Sequence, residues 1–279
     1  MLIQGCIAGK WSERKPFQVR SSFYPEHSVQ VSSASPLDAA EAIGAARSAE
    51  RLNFPERLER LEAAAAAFRY TPEVLEHTVK MSGLPVRVAR GLLDEIPNWF
   101  RQVSQSWRSR TRHLPEFDGV PADLIAPGAY KLLLPLEGYC YAVGPANDPR
   151  ASALAAANCA AAGVPLIFKA ARHDAVAPLV FQSLVRAGFD PAAFNLLYFD
   201  NRAPEAAQMH HRLVAGSSLV WSFGPVEDVD RALRYAADPQ SPGERIDLFA
   251  DRRVLRHANA ACSTIVSGAL DERLRRFLD

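Results

Sequence analysis

Near the N-terminus, apolar and polar positions alternate one by one. Residues 17–20 and 28–31 place Phe17, Val19, Val29 and Val31 at every second position, the period that predicts strands. The period then lengthens. Ser35-Pro36-Leu37-Asp38 reads as a capping box with proline at the first helical position, and Ala39, Ile43, Ala46 and Leu52 follow at helical spacing. A second helix is predicted over 55–68, with Leu58, Leu61, Ala65 and Phe68 on one face. Thr71-Pro72 opens a third helix, which Gly83-Leu84-Pro85 stops, and a fourth covers about 86–107. Between 111 and 138 the pattern breaks up. Pro115, Gly119, Pro121, Pro127, Gly128 and Pro135 punctuate short apolar runs, which predicts an excursion of one or two strands, the best over 129–134.

From residue 139 short apolar runs alternate with helical segments. Strands are predicted at 139–143, 165–168, 194–199, 218–221 and 262–266. Helices are predicted at 149–162, 175–187, 204–214, 225–236 and 270–278. The polar stretch 241–259 receives no element. Strands separated by helices of about ten residues imply βαβ units, a parallel sheet and right-handed crossovers. Ligands of such sheets sit beyond the carboxyl ends of the strands. The loops that start at Gly144, Lys169, Asp200 and Ser222 are therefore the expected site.

Composition narrows the function classes. With 32 basic and 31 acidic residues in 279, nothing electrostatic favours nucleic acid or an anionic membrane. The most apolar stretch, 151–168, is interrupted by Asn158, Gly163 and Pro165, so no membrane span is expected. Residues 1–10 show no secretory pattern. Cys6, Cys140, Cys159 and Cys262 form no paired motif, which argues against a disulfide framework or a zinc site and fits a reducing cytoplasm.

Three of the four loops carry a family resemblance. Gly144-Pro145-Ala146-Asn147-Asp148-Pro149 is similar to the Pro-x-Asn-x-Pro turn of the aldehyde dehydrogenase superfamily. Ala161-Ala162-Gly163 followed by Leu166-Ile167-Phe168-Lys169 resembles its strand-and-lysine segment, and Val220-Trp221-Ser222-Phe223-Gly224 resembles its Phe-Thr-Gly-Ser turn. Ile3-Gln4-Gly5 with Trp11, and Ser82-Gly83-Leu84-Pro85, look like the family's opening region. The resemblance implies an α/β fold: a Rossmann-like parallel sheet flanked by helices, with an N-terminal helical layer and a small β-hairpin excursion. It implies residues 1–110 as strands and helices of the nucleotide-binding domain, 111–138 as an oligomerisation hairpin and 139–279 as the βαβ core. NADP or NAD would be the cofactor. Asn147 would serve an oxyanion, and Lys169, Arg172, Ser222 and Gly224 the dinucleotide. Read locally, Asn147 is a turn former, Lys169 a solvated strand-end lysine, and Ser222 and Gly224 turn chemistry.

The departures carry their own expectations. The family's Gly-Gln-x-Cys nucleophile is not in this sequence, and Cys159 and Cys262 read as small buried hydrophobes. The segment is thus expected to be inactive alone, with the catalytic domain absent and the thiol supplied by another chain or by sequence lost to truncation. The family's Glu-Leu-Gly-Gly base is replaced by Leu255-Arg256-His257-Ala258-Asn259, with His257 read as a loop residue. A missing base suits a coenzyme-A-dependent acyl reductase, which passes the acyl group to a thiol. Arg172 stands where many relatives carry a ribose-binding Glu, and a guanidinium pairs with a 2′-phosphate, which predicts a preference for NADP. Pro225 has no N–H for a phosphate. A degenerate, non-catalytic assembly partner is the competing reading.

Overall fold

The computed structural model describes residues 1–12, 14, 16–112, 116–117, 120–126, 129–132, 137–223, 253–257 and 264–267, with the strands in 116–132 and 253–267 described by their backbone alone. The capping box forms as its residues require. Ser35 Oγ accepts from the Asp38 N–H at 3.3 Å, the Asp38 carboxylate takes the Ser35 N–H at 2.7 Å, and Pro36 begins α1 (Pro36–Ser48). Leu52 lies beyond its end. Asn53 caps α2 (Phe54–Ala67) through the Glu56 N–H, and α3 (Pro72–Ser82) stops at Gly83, whose φ of 69° is left-handed and free of penalty only without a Cβ. The fourth helix, α4 (Val86–Thr111), runs four residues further than its pattern predicts.

The N-terminal strands are β1 (Leu2–Ile3), β2 (Cys6–Ile7), β3 (Lys10–Trp11), β4 (Pro16–Arg20) and β5 (Ser28–Ser32). β1, β5 and β4 form a small sheet of their own. Among its described residues the excursion holds three strands, not one or two: β6 (Glu116–Phe117), β7 (Val120–Ala126) and β8 (Ala129–Leu132), antiparallel in that order. Pro121 does not end the strand. It sits second in β7, opposite Glu116, where a chain end tolerates a missing donor.

Among the described residues the main sheet has eight strands. β9 (Cys140–Val143), β10 (Leu166–Lys169), β11 (Phe194–Leu197), β12 (Leu219–Phe223) and β13 (Arg253–His257) are mutually parallel. β14 (Thr264–Ser267) closes one edge antiparallel, and β2 with β3 closes the other. β13 corrects the polar stretch 241–259. Backbone pairing on both sides draws Arg253, Arg256 and His257 into a strand despite their polarity, so His257 is a strand residue and not a loop one. The predicted helices at 225–236 and 270–278 lie outside the described residues.

Helices cover both faces. α5 (Ala151–Ala162) and α6 (Ala177–Arg186) pack on one, backed by α2, α3 and α4 as a second layer. α1 and α7 (Ala206–Ala215) pack on the other, over Tyr139, Tyr141, Ile167, Leu197 and Phe199. α5 is mostly alanine, and nine of its twelve residues are buried, which lets the layers approach closely. Arg57 of α2 clamps that contact: its Nε donates to Ala161 O at 3.0 Å and its Nη1 to Leu52 O at 2.7 Å. No helix among the described residues is long and apolar enough to cross a membrane.

Candidate functional site

Strand order locates the site. The chain runs β9 to β10 to β11 in one direction, then returns to place β12 and β13 on the far side of β9. The order β11-β10-β9-β12-β13 therefore reverses between β9 and β12. In parallel α/β sheets a ligand crevice opens at such a reversal, beyond the carboxyl ends of the strands.

The turn after β9 is pinned from several sides. Gly144 N–H donates to Lys169 O at 2.9 Å, and a Cβ at Gly144 would stand 2.6 Å from the Phe168 ring, so only glycine fits. His173 Nε2 donates to Ala146 O at 2.9 Å, which sets the tautomer of His173. Asp148 accepts the Arg150 backbone N–H at 2.9 Å and its guanidinium at 3.0 Å, and the same guanidinium reaches Glu95 at 2.6 Å. These carboxylates raise the arginine further above its usual range, against some loss to burial. Asn147 sits in this braced turn, exposed to solvent, and its amide makes no hydrogen bond among the described residues.

Lys169 ends β10, but it is not the solvated strand-end lysine of the local reading. It is 4% exposed, with Nζ 5.3 Å from the centroid of the Phe199 ring. It has no hydrogen-bond acceptor among the described residues. Burial pushes its ammonium down to about 8, and Arg172 pushes the same way while Asp200 opposes. Arg172 is held: its Nη1 meets Asp200 Oδ2 at 3.1 Å, while Asp200 Oδ1 accepts the Arg202 N–H at 3.0 Å. Ser222 lies inside β12, buried, paired in register with Val143 and Arg256; the strand continues to Phe223, so Ser222 does not start a loop. Gly224, Pro225 and Cys262 lie outside the described residues.

His210 was not legible as a site neighbour. It sits on the buried face of α7, where Tyr141 O–H donates to Nδ1 at 2.7 Å and Nε2 faces Asn201 Oδ1 at 3.4 Å. Burial, and then the charge of Lys169, lower it to about 3, so it stays neutral. No local signal separates it from His211; only the helix's buried face does. A line of histidines also ties the turn region to the N-terminal layer: His27 Nε2 lies 3.2 Å from His77 Nδ1, and His77 Nε2 donates to His173 O at 2.8 Å.

The cysteines among the described residues are not poised for attack. Cys6, Cys140 and Cys159 are buried. Burial pushes Cys6 up to about 11, and a hydrogen bond with Cys159, then burial, raises Cys140 well above an ordinary thiol. Among the described residues no group of His, Cys, Asp and Glu could hold a metal ion. A cavity of about 330 Å³ does exist, lined by Trp11, Arg14, Asp38 and Tyr198 among others. It opens beside β2, β3 and β11, with β10 and β11 between it and the strand-order reversal. The strand-order reversal and the charged residues at the ends of β10 and β11, not this cavity, mark the candidate site.

Comparison with known proteins agrees with the strand order. Three solved structures share the fold. Delta-pyrroline-5-carboxylate dehydrogenase from Mycobacterium tuberculosis is 19% identical, with a TM-score of 0.70 over 92% of this chain and 47% of its own. Betaine aldehyde dehydrogenase from Staphylococcus aureus is 17% identical, with a TM-score of 0.68 over 92% and 50%. A 3,6-anhydro-L-galactose dehydrogenase is 16% identical, with a TM-score of 0.70 over 93% and 52%. The chain thus spans about half the length of these structures. No curated protein matches it by sequence. The model of the aldehyde dehydrogenase family matches residues 10–241, and the chain belongs to that family.

Proposed function

We propose that these 279 residues form the nicotinamide-dinucleotide-binding part of an aldehyde-oxidising enzyme. The reversal of strand order between β9 and β12 carries the reading, because parallel sheets bind dinucleotides beyond the carboxyl ends of their strands at such a reversal. The side chains fit such a ligand. Lys169 is a buried cation without an acceptor among the described residues, and Arg172 stands beside it at the end of β10. Solved relatives support the cofactor class: the anhydrogalactose dehydrogenase is in complex with NAP, and a betaine aldehyde dehydrogenase variant with NAD+.

In this reading Lys169 and Arg172 serve the adenosine ribose, Ser222 and Gly224 the pyrophosphate, and Asn147 directs its free amide at a developing oxyanion. The bound dinucleotide would accept hydride from the substrate. Residues 1–110 and 139–279 form the nucleotide domain, and the three-stranded sheet within 111–138 is a device for self-association. The buried thiols do not attack the aldehyde; that cysteine comes from sequence other than these 279 residues, in the same protein or in a partner.

Calorimetric titration of the purified chain with NAD and NADP tests this. Saturable binding of one dinucleotide is expected, with no aldehyde-dependent cofactor reduction by the chain alone. A folded chain that binds neither nucleotide overturns the assignment. Robust turnover by the chain alone overturns the external thiol.

A further inference from the structure

The turn between β9 and α5 carries Asn147 outside any regular element, so no helix or strand fixes the peptide that precedes it. Upstream, the Gly144 N–H is tied to Lys169 O; downstream, Asp148 is tied to Arg150. Between them lies the Ala146 carbonyl, which shares its peptide plane with the Asn147 N–H. Among the described residues it has one hydrogen bond: His173 Nε2 donates to it at 2.9 Å. His173 is held in turn. Its own carbonyl accepts from His77 Nε2 at 2.8 Å, and His77, 2% exposed on α3, faces His27 Nε2 through Nδ1 at 3.2 Å. The next residue, Asp174, accepts the N–H groups of Val176 and Ala177 at 2.8 and 3.1 Å, which fixes the chain on the other side of His173. The geometry assigns the protons. A carbonyl only accepts, so His77 carries its proton on Nε2. Burial pushes that ring down to about 4, so it is neutral near pH 7 and its Nδ1 is an acceptor. His27 must then donate from Nε2. Three donors point one way, from the β4–β5 turn through α3 and the loop after β10 to the turn of Asn147.

We propose that His173 is a positioning residue for Asn147, and that His77 and His27 act on the same turn through it. The bond to Ala146 sets the tilt of the peptide plane between Ala146 and Asn147, and with it the direction in which the Asn147 side chain leaves the backbone. Without that bond the plane can rotate between its braced neighbours. Asn147 is exposed, and its amide has no partner among the described residues, so nothing else there aims it. For the role of Asn147 as an oxyanion donor the proposal rests on the reading above, in which a donor serves only if it is already oriented when charge develops. The hydrogen-bond path itself stands without that reading. Spacing along the chain does not disclose it, since His27, His77, Ala146 and His173 meet only through tertiary packing.

NMR on the 279-residue chain tests this in two ways. Ring nitrogen shifts at pH 7 should show His77 in its neutral Nε2–H form; the Nδ1–H form breaks the path and overturns the proposal. Backbone relaxation should give the Asn147 amide an order parameter of about 0.85 in the wild type and below about 0.6 in His173→Leu. His173→Gln, whose amide offers a donor at similar reach, should restore the wild-type value. His77→Leu should loosen the turn less, and in a His173→Leu background it should add nothing, as expected of a residue that acts through another. Melting curves of each variant, with exchange protection at Ile167 and Leu196, separate this from loss of fold: a merely structural histidine would lower the order of the sheet and of the turn together. A mobile Asn147 in the wild type, or a rigid one in folded His173→Leu, overturns the proposal. Titration of the same samples with NAD and NADP keeps the two readings apart. A folded wild type that binds neither overturns the dinucleotide assignment, while the order parameters still decide the positioning.

Discussion

Arg57 in the helical layer and Lys169 at the edge of the sheet are buried to nearly the same degree, 6% and 4% exposed, yet the fold treats them differently. Arg57 spends its donors on two backbone carbonyls, Ala161 O at the end of α5 and Leu52 O before α2, and its guanidinium lies 5.4 Å from the Phe54 ring. Lys169 has an aromatic face at 5.3 Å and no carbonyl or carboxylate acceptor among the described residues. Burial depresses both, Arg57 to about 10 and Lys169 to about 8. An arginine still carries its charge at that value, and the carbonyls need it. A lysine at about 8 stands close to losing its proton. One cation holds helices together; the other is kept at some expense to the fold, at the carboxyl end of a parallel strand, where ligands of such sheets generally sit.

Substitution by methionine separates the two most sharply. In Arg57→Met the carbonyls of Ala161 and Leu52 lose their donors inside the packed layers. Two unsatisfied buried acceptors should destabilise the chain by about 3 kcal/mol. Chemical denaturation measures this directly, and an unchanged midpoint would show that water replaces the guanidinium.

Lys169→Met should move stability the other way. The apolar stem is kept and the poorly solvated charge removed, so a gain on the order of 2 kcal/mol is expected near neutral pH. The pH dependence supplies the sign. Because the folded value, about 8, lies below the unfolded 10.5, the unfolded chain holds the extra proton between those values. Wild-type stability should therefore climb as pH rises from about 8 to about 10.5 and be level below about 8, as far as this group is concerned. The climb should be absent from Lys169→Met. If that variant unfolds as readily as Arg57→Met, Lys169 is a structural cation like its counterpart.

The same contrast explains what the sequence disclosed. The helical layer announced itself, because caps such as Ser35-Pro36-Leu37-Asp38 and the Gly83 stop are local chemistry, readable without tertiary knowledge. So were the core strands up to β12, whose apolar runs match burial on both faces. β13 was missed because its polar residues enter a strand only through partners on either side. At the site, the spacing of Asn147, Lys169 and Ser222 along the chain was legible, but their environments were not. That Lys169 is buried over Phe199, that Ser222 lies within a strand, and that Arg172 is bound to Asp200 all depend on residues brought together by parallel pairing of distant segments. His210, whose neutral ring faces Tyr141, was hidden for the same reason.

The smallest effect tests the role of Lys169 without any substitution. At pH 8.5 a lysine near 8 is largely neutral in the free chain, whereas a bound ribose hydroxyl or phosphate oxygen gives its charged form an acceptor that the described residues do not offer. Dinucleotide binding at that pH should then draw in a proton, up to about 0.7 per ligand by the Henderson relation at these values. At pH 6 the lysine is protonated before and after binding, and its uptake should vanish. Calorimetry in buffers of different ionisation enthalpy reads the proton count. His173 and Asp174, which flank the same loop, titrate well below pH 8.5 and add nothing there, since burial lowers the first and raises the second only to about 6. Uptake at pH 8.5 that survives in Lys169→Met would assign the proton to another group and return Lys169 to the company of Arg57. Uptake that disappears with the lysine would identify this buried ammonium as a ligand contact.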